Sequence, residues 1–320
     1  MIPEETLTDV FAADVVRDLR RAPKQLQSRY LYDPLGSSLF DAICRLPWYR
    51  ITRAEAGLLQ QHARDVAAAL PVWREAPTIV ELGCGNGEKL DVVLSGVPDV
   101  AVDVHLIDIS ADALELAAAR LARRHDVIVS AHEAPYEIGL ERVRPLLEGR
   151  AGTLVLFLGS NIGNFDRGVA ESLLRSIRQA LQPGAALLLG TDLVKPLPAL
   201  LLAYDDPLGV TAAFNKNLLV RINRELAADF DLTAFDHRAI WNDAEHRIEM
   251  HLVSRHAQDV RLAAAGVRVA FEAGESIWTE SSYKYTEAEI ADLGRAAGLS
   301  TLDQWIDPEA AFALTLFQAV

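Results

Sequence analysis

An α/β protein, with a mostly parallel sheet covered by helices on both faces and a second α+β lobe, is the fold this 320-residue sequence predicts. Three observations predict it. Short continuous apolar runs alternate five times with helical patterns in the middle of the chain. A glycine-rich turn follows the first run, and beyond residue 195 the hydrophobic period changes to the two-residue alternation of half-buried strands.

Residues 1–60 read as helix and loop. Thr78–Glu81 (T-I-V-E) opens the sheet and stops at L-G-C-G-N-G; Val102–Ile109, Val127–Ser130, Thr153–Leu158 and Ala185–Gly190 supply the next four strands. Between them Gly87–Leu94, Ala111–Arg124, Glu137–Leu147 and Val169–Leu181 carry helical spacing, and Pro183-Gly184 ends the last. Right-handed crossovers through such helices make the strands parallel. From 196 to 285 a helix over Thr211–Ala228 precedes strands at Arg247–Arg255, Val267–Phe271 and Ile277–Tyr285. Helix Glu287–Ala297, strand Leu302–Ile306 and the apolar segment Ala311–Ala319 then return to the sheet, which gains a terminal antiparallel strand. The expected organisation is 1–60 and 196–285 as the substrate-binding lobe, 61–195 as the ligand-binding core and 286–320 as the return to the sheet.

Composition narrows the partners. Thirty-one Lys and Arg against 45 Asp and Glu give a formal charge of −14, so a polyphosphate or an anionic membrane meets net repulsion; neither nucleic acid nor a membrane is expected. The two cysteines, Cys44 and Cys84, lie in different segments without metal-ligand spacing, which fits a reducing compartment and predicts no metal site. The N-terminus begins with acids rather than a basic leader, and no apolar run reaches the roughly 18 residues of a spanning helix, so the expected location is the cytoplasm. The chain is expected to act as a monomer.

The turn after the first strand reads E-L-G-C-G-N-G, with glycines at 83, 85 and 87. Glycines there let the chain turn sharply and let a ligand approach the backbone. Counting from Gly83, the position a dinucleotide fingerprint gives to Gly or Ala holds Glu88, which disfavours a nicotinamide dinucleotide. The pattern instead resembles the first motif of class I S-adenosylmethionine methyltransferases, a Rossmann-like fold. Asp108 closes the second strand 25 residues past Gly83, placed to accept from ribose hydroxyls. The plain alternative is an ordinary strand-to-helix turn with Asp108 capping the next helix. Cys84 has no evident base beside it and reads as a small loop residue.

The loop after the fourth strand, G-S-N-I-G-N-F (159–165), carries two amides, Asn161 and Asn164, suited to a carboxylate or an amine or equally to Asx turns. Glu280 and Ser282 are two apart on a strand and share a face, a pairing that suits a nitrogenous ring; a solvated sheet face is the other reading. Tyr32, Tyr49 and Tyr204 read equally as core aromatics.

Longer segments carry a more specific likeness. R-Y-L-Y-D-P-L-G-S-S-L-F-D (29–41), T-R-A-E (52–55), V-E-L-G-C-G-N-G-E-K (80–89), F-L-G-S-N-I-G-N (157–164), G-T-D-L-V-K (190–195), A-Y-D-D-P-L-G-V-T-A-A-F-N (203–215) and R-I-E-M (247–250) resemble the histidine Nα-methyltransferases of ergothioneine biosynthesis, nearly end to end. The resemblance implies S-adenosylmethionine as methyl donor, S-adenosylhomocysteine as product, and L-histidine as the substrate converted to its Nα-trimethylated form, hercynine. It implies that Asn164 and Tyr204 hold the substrate carboxylate, that Tyr32 and Tyr49 lie at the amine, and that Glu280 and Ser282 read the imidazole. Met250 would line the imidazole pocket and, with Glu280, separate histidine from tryptophan. Gly83, Gly85, Lys89, Asp108 and Gly159 would contact the cofactor. The chain departs from the family at A-P-Y (134–136), where an acid usually precedes the aromatic. Tyr136 can still cover the adenine, but Pro135 cannot accept from its amine, leaving Glu133 or a backbone carbonyl. An amino acid N-methyltransferase acting on tryptophan or a derivative, and a cofactor-binding protein without turnover, are the competing readings.

Overall fold

The structure, a computed structural model, describes residues 7–69, 77–97, 100–124 and 126–320. The chain begins with α1 (Leu7–Leu19), the two-residue strand β1 (Lys24–Gln25), α2 (Pro34–Cys44) and α3 (Ile51–Ala68). Strands and helices then alternate: β2 (Thr78–Leu82), α4 (Glu88–Leu94), β3 (Val102–Asp108), α5 (Ala111–Leu121), β4 (Val127–Glu133), α6 (Tyr136–Val143), β5 (Thr153–Phe157), α7 (Arg167–Ala180) and β6 (Ala186–Asp192). Next come α8 (Leu197–Tyr204), α9 (Val210–Leu226), β7 (Phe235–Asn242), β8 (Arg247–Ser254), β9 (Gln258–Leu262), β10 (Val267–Phe271) and β11 (Ser276–Tyr283). The chain closes with α10 (Glu287–Ala296), β12 (Leu299–Asp307) and β13 (Phe312–Ala319). No helix among the described residues is long and apolar enough to cross a membrane.

The chain divides into two compact units. One comprises Arg50–Val194 and Tyr283–Val320. Its seven-stranded sheet has the order β12-β13-β6-β5-β2-β3-β4. The five strands from β2 to β6 are parallel, and β13 runs antiparallel to both β6 and β12. The expected antiparallel strand is β13, and β12 beyond it at the sheet edge runs in the same sense as the parallel five. β2, β5 and β6 are buried along their whole length, which is why they read as uninterrupted apolar runs. One face is closed by α7, whose Ala170, Leu173, Leu174 and Ile177 recur at helical spacing and pack with Phe157, Leu187 and Phe317. β3 and β4 extend the sheet to one side of β2, and the chain then crosses to add β5 on the other side. That reversal puts a topological switch point at the carboxyl ends of β2 and β5, where open α/β sheets leave a crevice for ligands.

Residues 50–60, read from the sequence as part of the second lobe, belong to this unit because α3 buries Ile51, Ala54, Leu58, Leu59, Ala63 and Val66, and packs on α4, β12 and β13. The other unit comprises the chain up to Tyr49 and Lys195–Ser282. It holds a sheet of order β1-β11-β8-β7, with β1 parallel to β11 and β7 antiparallel to β8, and a separate β9–β10 hairpin. α2 packs on α9, and α8 and α9 pack on β7 and β8. Besides the two-residue β1, three elements here went unread in the sequence. α8 begins between Pro196 and Pro198, which mask a helix although proline suits a first turn. β7 and β9 are half polar: β7 buries only Phe235, and β9 only Val260 and Leu262.

Candidate functional site

In the unit built on the large sheet, the expected cofactor residues gather at the switch point. Gly83 follows β2 with φ 75°, and a side chain there would lie 2.8 Å from both the Asn161 amide and the Tyr136 hydroxyl. Gly85, at φ 52°, faces open space within 4 Å. The turn therefore has the left-handed backbone only glycine adopts without strain and leaves room over its middle glycine. Asp108 ends β3 beside it, accepting the Ser110 N–H at 2.9 Å. Burial raises its pKa against the opposing backbone amides of Ser110, Gly85 and Ile109. Cys84 is buried next to Asp108, and burial with the neighbouring carboxyls of Glu81 and Asp108 pushes its thiol far up, which suits an inert loop residue rather than a nucleophile.

Tyr136 opens α6 and stands edge-on to Phe157 and Phe165, at ring separations of 5.3 and 6.2 Å. Burial, then the charge of Asp108, raises its phenol, which stays protonated at neutral pH. Gly159 follows β5, and a side chain on it would meet the Lys89 ammonium at 3.2 Å. Asn164 ends a 3-10 turn (Asn161–Asn164) in the same loop. That loop is held firmly. Ser160 adopts a left-handed φ of 57° and its hydroxyl accepts the Asp192 N–H, while a side chain on Gly163 would sit 2.7 Å from the Tyr283 carbonyl. Two buried carboxylates were not among the site residues the sequence singled out. Glu81 of the glycine motif leaves Oε2 without a hydrogen-bond partner, and Glu55 of α3 is fully enclosed. The sequence did carry a signal for Glu55: it occupies an apolar-face position of an amphipathic helix, between Ala54 and Leu58.

In the other unit the expected amino acid groups also cluster. The Tyr204 hydroxyl and Ser282 Oγ lie 2.8 Å apart, both buried. The Tyr49 ring stands edge-on to Tyr204 at 6.3 Å and to Phe40 at 6.3 Å. Tyr32 joins the same aromatic set through Phe40 and Phe214, each at 5.6 Å. His237 Nε2 donates to the Tyr204 carbonyl at 2.8 Å, since its Nδ1 takes the Asn215 amide at 2.9 Å. Met250 is buried on β8, and the Thr279 hydroxyl donates to its carbonyl at 2.9 Å, tying β8 to β11. Glu280 is 8% exposed, and Trp278 Nε1 donates to its carbonyl. The solvated-face alternative for Glu280 and Ser282 is thereby removed, as both are buried.

The donor set at the switch point fits a nucleoside with an amino acid end: a carboxylate for ribose hydroxyls, an aromatic ring for a base, an ammonium for a carboxylate, and bare backbone at Gly85 for close approach. No group of three or more metal-ligating side chains occurs among the described residues.

Comparison with known proteins bears on this arrangement. The model of one protein family, described as histidine-specific methyltransferase, SAM-dependent, matches residues 11–319. A histidine N-alpha-methyltransferase of Mycolicibacterium smegmatis is 43% identical over 316 residues, covering 98% of this chain and 96% of that protein. A protein of the same name from Mycobacterium tuberculosis is 41% identical over 95% of this chain and 93% of its own length. Ergothioneine biosynthesis protein 1 of Neurospora crassa is 27% identical over 88% of this chain, which spans 32% of that longer protein.

Proposed function

Because the chain belongs to the histidine-specific, S-adenosylmethionine-dependent methyltransferase family, we propose that it transfers methyl groups to the α-amino nitrogen of L-histidine. The product is Nα,Nα,Nα-trimethyl-L-histidine, hercynine, and the reaction is the first step of ergothioneine biosynthesis. The observation that carries the reading is 43% identity to a histidine N-alpha-methyltransferase across 98% of this chain.

When bound, S-adenosylmethionine supplies an electrophilic methyl on a sulfonium. Positive charge moves rather than forming, so in-line displacement needs positioning more than acid–base power. Gly83, Gly85, Lys89, Asp108, Tyr136 and Gly159 hold the cofactor. Asp108 accepts from the ribose, Lys89 meets the carboxylate end and Tyr136 covers the adenine. Tyr204, with Asn164, takes the histidine carboxylate; Glu280 and Ser282 read the imidazole and Met250 lines its pocket. The bond between Tyr204 and Ser282 supports this set, since one hydroxyl donates to the other and so fixes the direction of both. The nucleophile must be the neutral amine, and an α-amino group titrates near 8, so each cycle sheds a proton. Tyr32 and Tyr49 accept the amine hydrogen bond and offer ring faces to the growing methylammonium.

Mass spectrometry of the purified protein incubated with S-adenosylmethionine and histidine should reveal a product heavier by three methyl groups. Absence of methylated histidine, or faster methylation of tryptophan in a parallel reaction, would overturn the assignment.

A further inference from the structure

A carboxylate on the apolar face of a helix is costly unless the structure uses it, and Glu55 is enclosed completely. Its two oxygens are divided between two segments. Oε1 accepts the Gly159 N–H at 2.7 Å, and Oε2 lies 2.5 Å from the Lys89 ammonium. β6 makes room for it by omitting a side chain: a Cβ at Gly190 would come within 2.0 Å of Oε1. Gly159 in turn leaves its Cβ position to Lys89 Nζ. One carboxylate thus joins α3, the first turn of α4, the loop after β5 and the middle of β6.

Packing alone does not explain this, because a leucine or methionine continues the apolar stripe of Ala54, Leu58 and Leu59 at no desolvation cost. We infer that Glu55 is a positioning residue for the methyl donor: it fixes the direction of the Lys89 ammonium and the place of the Gly159 backbone, two groups assigned above to the cofactor. The inference rests on that cofactor assignment but not on the identity of the amino acid acceptor. Glu81, the other acid near Lys89, is held protonated by burial and so is a poor substitute counter-ion. In E55Q the ammonium therefore loses the anion that directs it toward the carboxylate end of the ligand.

The experiment is a double-mutant cycle read by calorimetry with S-adenosylhomocysteine, using E55Q, K89M and the double variant. E55Q should weaken binding about ten-fold, K89M by at least as much, and E55Q in the K89M background by less than about two-fold. In kinetics with saturating histidine, E55Q should raise KM for S-adenosylmethionine and leave kcat within about two-fold. Should E55Q not fold, E55D, which keeps the charge and shortens its reach, serves in the same cycle with the same expected loss of effect in K89M. Wild-type affinity in the Glu55 variants, or an equal loss with and without Lys89, overturns the inference. Calorimetry involves no methyl acceptor, so a protein that binds S-adenosylhomocysteine but ignores histidine still tests the role of Glu55.

Discussion

At the scale of single residues, burial of charge sets the testable consequences. Glu280→Ala removes the acceptor assigned to the imidazole N–H and should weaken histidine binding by about 2 kcal/mol, roughly thirty-fold in KM. An unchanged histidine KM in steady-state kinetics removes Glu280 from the pocket. Glu81 makes a prediction about pH. Burial, partly offset by Lys89 and reinforced by Asp108 and Glu55, pushes its carboxyl from an ordinary 4.5 up to about 8. The folded chain therefore holds that proton more tightly than the unfolded chain. The stability this contributes is complete below pH 4.5 and is lost as pH rises through 8. Glu81→Gln should flatten the profile, raising the Tm of the ligand-free protein by about 2 °C or more at pH 8 and leaving it unchanged near pH 4.5. Calorimetric melts across that range decide it, and a Tm difference independent of pH rejects the buried acid. Much of this was hidden from the sequence. Asp108 could be found by its distance from a glycine turn and Glu55 by its place on the apolar face of a helix, but the burial of Glu81 shows only once the strand that encloses it has formed.

Among the elements, legibility followed the pattern of burial. β2, β5 and β6 are buried on both faces and stood out as apolar runs, whereas β7 and β9 are half polar and incompletely covered, and were lost among loops. The substrate-side tyrosines were legible only by resemblance, because an aromatic in a helical or loop segment looks the same in a core and at a site. α2 shows how an element places one of them. Tyr32 immediately precedes Asp33, the cap of α2, whose Oδ1 accepts the Gly36 N–H at 2.8 Å and the Asn217 amide at 2.6 Å. Its Oδ2 takes the Arg224 guanidinium at 2.7 Å. Asp33→Ala uncaps the helix and strands the buried Asn217 amide, at a cost of about 2–3 kcal/mol in urea unfolding. Asp33→Asn keeps the cap and should recover about half. A loss under about 0.5 kcal/mol would mean the three bonds do not hold the helix end.

For the whole molecule, each unit is assembled from two separate stretches of chain, so neither can be excised as a continuous fragment. The unit of residues 50–194 and 283–320 contains every group assigned to the cofactor, and the other contains every group assigned to the amino acid except Asn164. The two ligands should therefore leave different footprints in hydrogen exchange, because a ligand that binds only the folded form suppresses the local openings that expose the amides it contacts. S-adenosylhomocysteine alone should protect peptides spanning Gly83–Lys89, Asp108 and Gly159. Histidine, added to the protein already holding S-adenosylhomocysteine, should extend protection to peptides containing Tyr204, Met250 and Glu280–Ser282. Asn164 should respond to histidine although its loop neighbour Gly159 responds to the cofactor, since the two residues of one loop are assigned to different ligands. If the histidine footprint stayed confined to residues 50–194 and 283–320, the acceptor would have to be held by groups other than those named, and the assignment of Glu280 and Tyr204 would fall while the cofactor site stood.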